Sequence, residues 1–356
     1  MKKINFIPAG NSRTASSRLR VYALAGALKE MGCDARINSN EFSEFLIIQK
    51  RVTLDLLEQV KSVKLAGSYI IYDIDDSASA LWFWVQPRLL FEIFCLADLI
   101  TVDTPERAHW ITKAAPWLEC EVIPNPVDYG IRSPKAHRTN ISCELKICWF
   151  GSSSNFQTFS PHFRVLATTP KTKIVVCGAS HSDRNQFLSF TNIEFVDWEP
   201  DVMESLLCES DLVCLSHLGR KEDVRKSNHK MITSISYGVP AIVSNTPEYA
   251  RTACEIGAPD SIFSDNKTLL DCVETYRSKQ KRDEYLKRAQ PIIWNKYSPE
   301  VCASRFLDVI IENKQNHKPT DLNSHSFRPL LYPIWRWRIE DYKLEFLQNL
   351  IFSKCS

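Results

Sequence analysis

The 356-residue chain has no stretch of about 20 consecutive apolar residues, the length that a membrane-spanning helix needs. Its nearest approach, residues 81–102, is interrupted by Pro87, Arg88, Glu92 and Asp98 and reads as a helix followed by a strand. A secretory leader is also missing: Met1-Lys2-Lys3 runs straight into Ile4-Asn5-Phe6-Ile7, too short for a signal core and suited to a first strand. Charge of one sign is not in excess. Forty-four Lys and Arg against 42 Asp and Glu leave a formal +2, so no overall field points to nucleic acid. The 12 cysteines form no Cys-x-x-Cys pair and the eight histidines show no ligand spacing, which leaves no metal site and no disulfide framework to propose. The expectation is a cytoplasmic protein with reduced core thiols.

What is present is alternation. Short apolar runs at 4–8, 45–49, 69–73, 99–102 and 120–123 alternate with helical spacing at 17–31, 54–65, 82–96 and 105–113. This is the pattern of a parallel sheet with crossover helices. Pro124-Asn125-Pro126 and the polar stretch 133–139 keep neither period and read as a linker. Beyond them the pattern restarts, with strands at 146–150, 173–177, 193–196, 212–215 and 241–243 and a small-residue loop, Gly151-Ser152-Ser153-Ser154-Asn155. Ala97-Asp98-Leu99 and Ser210-Asp211-Leu212 show the same helix-to-strand entry in both halves. The fold class is therefore α/β, with Rossmann-like domains at 1–132 and 139–300. Residues 301–356 form a helical segment that returns to the first domain or meets a membrane surface. Within it, Tyr332, Trp335 and Trp337 alternate with Arg336 and Arg338, which suits either a packed helix or a peripheral contact at lipid headgroups.

Cations gather where a helix would prefer acids. Arg220, Lys221, Arg225, Lys226 and Lys230 surround a predicted helix start, where each costs roughly 0.3 to 1 kcal/mol against the helix dipole. A bound anion would offset that cost. Ser227 or Asn228 can cap the first turn, and with Lys226 and Lys230 its N–H groups would make a phosphate or diphosphate cradle; the plain alternative is a basic solvated loop. Gly238-Val239-Pro240 closes the helix ahead of a buried strand, so its start lies where open parallel sheets bind ligands. In the first half, Gly10 follows the first strand, and Arg18 and Arg20 open the next helix, as a second anion site or as solvated charge. Asp73, Asp75 and Asp76 end a strand, where they can orient hydroxyls or supply a general base, or where Asp76 or Ser77 simply caps the following helix.

Six segments in order carry a family resemblance: Ser16-Ser17-Arg18-Leu19-Arg20, Tyr72-Asp73-Ile74-Asp75-Asp76, 97–104, 122–128, Trp149-Phe150-Gly151-Ser152, and 226–240. Over residues 3–310 the chain resembles bacterial GT-B glycosyltransferases of the retaining group 1/family 4 type, which build surface polysaccharides and related glycans. The resemblance implies two Rossmann-like domains facing a cleft and hexosyl transfer from a nucleotide-sugar donor to a glycan or lipid-linked acceptor. It implies no cofactor and no metal. It implies that Gly151, Ser152, Lys226, Ser227, Asn228, Lys230 and Thr233 hold the donor, with Glu248 as a hydroxyl contact or a surface cap, and that Asp76, Lys230 and Arg225 act in catalysis. Gly10, Arg18, Arg20, Asp73 and Asp75 fall on the acceptor side. The chain departs from the pattern at Thr233, where many relatives carry a glutamate, and in the 151–155 loop, which lacks their Arg and Lys. The rival readings are a noncatalytic nucleotide-sugar-binding subunit, a hydrolase or epimerase of the same fold, and the other main glycosyltransferase fold, whose metal-binding acidic pair has the spacing of Asp73-Ile74-Asp75.

Overall fold

The computed structural model describes residues 1–76, 87–128, 131–137, 144–217 and 221–316. Contacts divide the chain into two compact units, Met1–Pro124 with Pro299–Ser356, and Asn125–Ser298. The aromatic tail segment, Ser77 and Arg220 lie outside the described residues.

The first unit is one parallel sheet of β1 (Lys3–Ile7), β2 (Asp34–Ile37), β3 (Phe45–Gln49), β4 (Tyr69–Ile74), β5 (Leu99–Val102) and β6 (Cys120–Val122). Its strand order is β2-β1-β3-β4-β5-β6. Alternation along each strand loads both faces. Leu46, Ile48, Ile70 and Tyr72 pack with Leu57, Leu90 and Phe94 from the helices Leu54–Leu65 and Pro87–Leu96. Phe45, Ile47, Tyr69 and Ile71 pack on the other face with Leu24, Leu28, Phe306 and Ile310. That second layer is built by the helix Leu24–Glu30 and the helix Pro299–Asn316, whose Phe306 ring lies 5.9 Å from that of Phe6. The strand β2 escapes the sequence reading because it is a polar edge strand with one partner only. The segment read as one helix over 17–31 is instead a turn at Ala15–Ser17, a π-helical stretch at Arg18–Ala23 and the α-helix Leu24–Glu30.

The second unit holds β7 (Leu145–Phe150), β8 (Thr172–Cys177), β9 (Ile193–Val196), β10 (Leu212–Leu215), β11 (Ala241–Ser244) and β12 (Ile262–Phe263), all parallel, in the order β12-β11-β10-β7-β8-β9. This is the strand order of the doubly wound dinucleotide-binding sheet. Residues 125–128 and 131, read from sequence as part of the first domain, pack here: the Val127 N–H donates to the Tyr297 carbonyl at 2.8 Å, and Val127 and Ile131 enter this core. Gly238 has φ +78 and ends the helix His229–Ser236, with the Val239 N–H returning to the Ser234 carbonyl at 3.0 Å.

The repeated entry motif has one geometry in both units. Asp98 accepts from the Ile70 N–H at 2.8 Å, while its own N–H donates to the Ile70 carbonyl at 2.8 Å. Asp211 does the same with Lys146, at 3.0 and 2.9 Å. Each aspartate thus starts a central strand in register with its neighbour. The ten described cysteines are free thiols. No described helix is long and apolar enough to cross a membrane.

Candidate functional site

In the second sheet the chain reverses its direction of winding between β7 and β10, which leaves a crevice at their carboxyl ends. Gly151 follows β7 there. A Cβ at this position would lie 2.8 Å from the Lys230 Nζ and 3.1 Å from the Trp149 ring, so a larger residue would displace the lysine and crowd the indole. Gly178, at the end of β8 with φ +93, closes on the same loop: a Cβ there would meet the Gly151 carbonyl oxygen at 2.1 Å. The Trp149 ring is fixed from below by Phe156 and Phe159, at 5.4 and 5.7 Å between centroids.

Lys230 lies in the first turn of its helix, half-buried, with its Nζ 5.4 Å from the Trp149 ring centre. Among the described residues no carboxylate pairs with it and its ammonium donates no hydrogen bond. Burial, and then repulsion from Lys226, lower its pKa to about 7. Lys226 is better provided for, with Asp223 at 2.7 Å and the Asn155 side-chain oxygen at 3.1 Å. Ser152 precedes the helix Ser153–Ala167 without capping it through its side chain, and the Asn155 amide donates to its hydroxyl at 2.9 Å. First-turn N–H groups of that helix therefore lie on the same loop as Gly151.

Two residues that the sequence reading passed over complete the crevice. His217 follows β10, stacks on Tyr249 at 4.8 Å between ring centres, and donates its backbone N–H to the Ser244 hydroxyl at 2.8 Å. Burial, reinforced by Lys226 and Lys230, lowers its pKa to about 3, so the imidazole is neutral. Trp149 is the other. A polar or aromatic residue at the carboxyl end of a strand beside the winding reversal is the signal that marks both.

Other expected donor contacts fall elsewhere. Asn228 is the residue before the helix but caps nothing with its side chain: its amide donates to Thr252 at 2.8 Å and to the Tyr297 hydroxyl at 3.0 Å, and it is buried as a structural pin. The Ser227 hydroxyl accepts from the Asn125 amide at 3.0 Å. Glu248 is buried and paired with Arg251, so its carboxylate is neither a solvated cap nor an open acceptor. Arg225 is half-buried, and its backbone N–H closes a turn on Glu222 at 3.2 Å. Thr233, one turn beyond Lys230 and on the same face, is fully buried with no partner for its hydroxyl.

At the carboxyl end of the first sheet, charges are closed on one another. The Arg20 guanidinium donates to both carboxylate oxygens of Asp73, one of them at 3.1 Å, and to the Ile123 carbonyl. Thr101 donates to Asp73 as well, at 2.7 Å. Arg20 is only 1 % exposed. Burial works against its charge, but Asp73 outweighs burial and raises its pKa. The expectation of Arg20 and Asp73 as acceptor contacts is thereby corrected: they are an internal brace, spent on each other. Arg18 is buried and donates to the Arg13 carbonyl at 3.3 Å. The Gly10 N–H donates to the Ser17 hydroxyl at 3.0 Å. Asp75 and Asp76 flank the Lys50 ammonium, Asp75 at 3.1 Å, and Lys50 also donates to the Ser16 hydroxyl at 2.9 Å. Asp73 and Asp75, the pair with metal-site spacing, are held by different cations. Among the described residues, no group of three or more His, Cys, Asp or Glu is placed to hold a metal ion.

No protein-family model and no curated protein matches the sequence. Solved structures match the fold. HepE of Anabaena, solved with UDP and glucose, superposes with a TM-score of 0.60 at 12% identity, over 87% of this chain and 100% of its own. A glycosyltransferase from Rickettsia africae gives 0.60 at 10% identity, over 88% and 99%. The trehalose-6-phosphate synthase OtsA gives 0.53 at 14%, over 83% and 76%. At such identities the likeness is one of fold: the chain has the two-domain, Rossmann-like GT-B fold expected from its sequence.

Proposed function

We propose that the protein is a glycosyltransferase that binds a nucleotide-sugar donor in the second unit and passes its hexosyl group to a glycan or lipid-linked acceptor. The observation that carries this reading is Lys230, half-buried, with no counter-ion among the described residues, and held against Gly151 at the winding reversal of the sheet. Such a charge is unfavourable until an anion arrives. A diphosphate fits: Gly151 lets its oxygens approach the backbone, the N–H groups after Ser152 point at them, and Lys230 and Lys226 supply charge. The fold neighbours support the choice of anion, since HepE was solved with UDP and with UDP-glucose.

In the transfer, the bond from the anomeric carbon to the diphosphate oxygen breaks and its electron pair stays on that oxygen. The new bond forms from an acceptor hydroxyl oxygen to the anomeric carbon, and the hydroxyl proton leaves to a base. Lys230 would act on the first event, stabilising charge as it collects on the leaving diphosphate. Asp76 is the candidate base, and its carboxylate lies against the Lys50 ammonium. Lysine charge in the donor crevice makes metal-free transfer the expected mode. A cytoplasmic location, with peripheral membrane contact through the tail, completes the reading from sequence.

Calorimetry with a panel of nucleoside diphosphates tests it, on the wild type and on Lys230→Ala, without and then with a divalent ion. Binding of at least one diphosphate without metal is expected, weakened about 10 to 100-fold in the variant, the equivalent of one charge-assisted contact of about 1.5 to 3 kcal/mol. Failure of every diphosphate to bind the wild type would sink the donor site. Binding without turnover of the matching nucleotide sugar, across an acceptor panel, would favour the noncatalytic subunit.

A further inference from the structure

The first sheet also reverses its winding, between β1 and β3, and the crevice there is the acceptor side that the resemblance implies. Gln49 ends β3 there and is only 1 % exposed. Its side-chain oxygen accepts from the Ala9 N–H at 3.0 Å and from the Ser17 hydroxyl at 2.7 Å. The Ala9 donor fixes the amide orientation, because a flipped amide would set N–H against N–H. Among the described residues, the Gln49 Nε2 is then a buried donor with no acceptor. A buried, unsatisfied amide is unfavourable, so it calls for an oxygen atom.

The next residue, Lys50, has φ +39, a left-handed backbone that is unfavourable for a non-glycine residue. That conformation brings its ammonium onto Ser16, Asp75 and Asp76. Since Ser16 and Ser17 are consecutive in one turn, the Gln49 amide and the Lys50 cluster are held one residue apart at the same strand end. The cluster of one ammonium and two carboxylates carries −1. Of the two cations read as an anion site, Arg20 is closed on Asp73, and Arg18 is buried with its guanidinium on the Arg13 carbonyl.

We propose that this crevice recognises the hydroxyl groups of an uncharged sugar, with the Gln49 amide donating to a hydroxyl oxygen and Asp75 and Asp76 accepting from hydroxyl protons. Resting on the glycosyltransferase reading, it identifies the acceptor end as a neutral sugar ring and not a phosphate. A hydroxyl is the one common group that satisfies both partners, since it accepts from an amide and donates to a carboxylate at once. A phosphate would meet the amide but be repelled by the cluster.

The full chain, free of nucleotide, is titrated with a set of methyl hexosides and with glucose 1-phosphate and inorganic phosphate, followed by saturation-transfer and chemical-shift NMR. At least one methyl hexoside is expected to bind, and both phosphate probes to bind at least tenfold more weakly in the presence of saturating UDP, which occupies the other anion site. Gln49→Glu keeps the acceptor oxygen and removes the donor; Asp75→Asn removes one carboxylate. Each should weaken hexoside binding about tenfold or more, with unchanged thermal midpoints showing that the variants fold. No hexoside binding, equal binding by both variants, or glucose 1-phosphate binding as well as the hexoside would each overturn the proposal. UDP binding is read separately, so a failed donor site is told apart from a failed hydroxyl site. If UDP does not bind, the hexoside and phosphate titrations are compared directly.

Discussion

The two units share a parallel sheet, a carboxyl-end crevice and the same aspartate at the start of a central strand, yet they treat buried charge in opposite ways. In the first unit three cations at the crevice are paired with carboxylates, Arg20 with Asp73, Lys50 with Asp75 and Asp76, and Arg107 with Asp103 at 2.6 Å, while the buried Arg18 donates to the Arg13 carbonyl. In the second, the strong buried pair is Arg282 with Asp211 at 2.9 Å, at the amino end of β10, and at the carboxyl end Lys226 is held by Asp223 while no carboxylate among the described residues pairs with Lys230. Burial therefore does not separate scaffold from site. Partnership does: a charge that is answered within the chain braces it, and one that is unanswered waits for a ligand.

The comparison breaks first, and most visibly, at Arg20. Removing one member of a buried pair leaves the other charged and desolvated, which costs about 3 to 5 kcal/mol. Arg20→Met is expected to lose that much in urea denaturation, while the double variant Arg20→Met, Asp73→Leu recovers most of it. If Arg20→Met were as stable as the wild type, Arg20 would have to be released from its brace. Lys230→Met should act in the reverse direction. It removes an unanswered charge, so the unliganded protein becomes more stable even as diphosphate binding is lost.

The sign of that gain can be followed with pH. The folded pKa of Lys230, about 7, is below the ordinary lysine value of 10.5, so between these values the unfolded chain holds more protons than the folded one. Wild-type stability from this group rises with pH across that window and is lost as pH falls toward 7. The slope is less than the roughly 1.4 kcal/mol per pH unit of one whole proton, because the side chain is only half-buried and partly screened. Lys230→Met should flatten the wild-type rise in denaturation midpoint between pH 7 and 9. An unchanged slope would mean that Lys230 is charged at neutral pH.

Much of this contrast was legible in the sequence, and the part that was not has a common cause. The alternation of apolar runs with helical spacing placed ten of the twelve strands, because buried parallel strands are continuous apolar runs. The polar edge strand β2 and the two-residue β12 give no such run. Lys230 and Gly151 stood out by residue type and position. What the sequence could not show was pairing. Arg20 and Asp73 are 53 positions apart, as are any two charges that meet only when strands align, so both looked available. Gln49 and His217 were invisible for a related reason: each is an ordinary polar residue until the strand order puts it at a winding reversal.

Lys226 gives the smallest and most discriminating effect. It contributes charge to the donor crevice but is already held by Asp223 and Asn155, so an arriving diphosphate must compete for it. Its direct contact should accordingly be weaker than that of Lys230, and Lys226→Met should cost only a few-fold in diphosphate affinity at pH 7, on the order of 1 kcal/mol or less. A second consequence runs the other way. Lys226 is the neighbour that, after burial, holds down the proton affinity of Lys230. Without it Lys230 stays protonated to higher pH. Wild-type diphosphate affinity should fall as pH rises from 7 to 9, because binding must then restore the Lys230 proton, whereas in Lys226→Met that fall should begin at a higher pH. Calorimetry of UDP across that range, in buffers of differing ionisation enthalpy, reads the proton uptake directly. An identical profile in both proteins would show that the two lysines do not sense each other, and the second unit's crevice would then hold two separate charges in place of one coupled cradle.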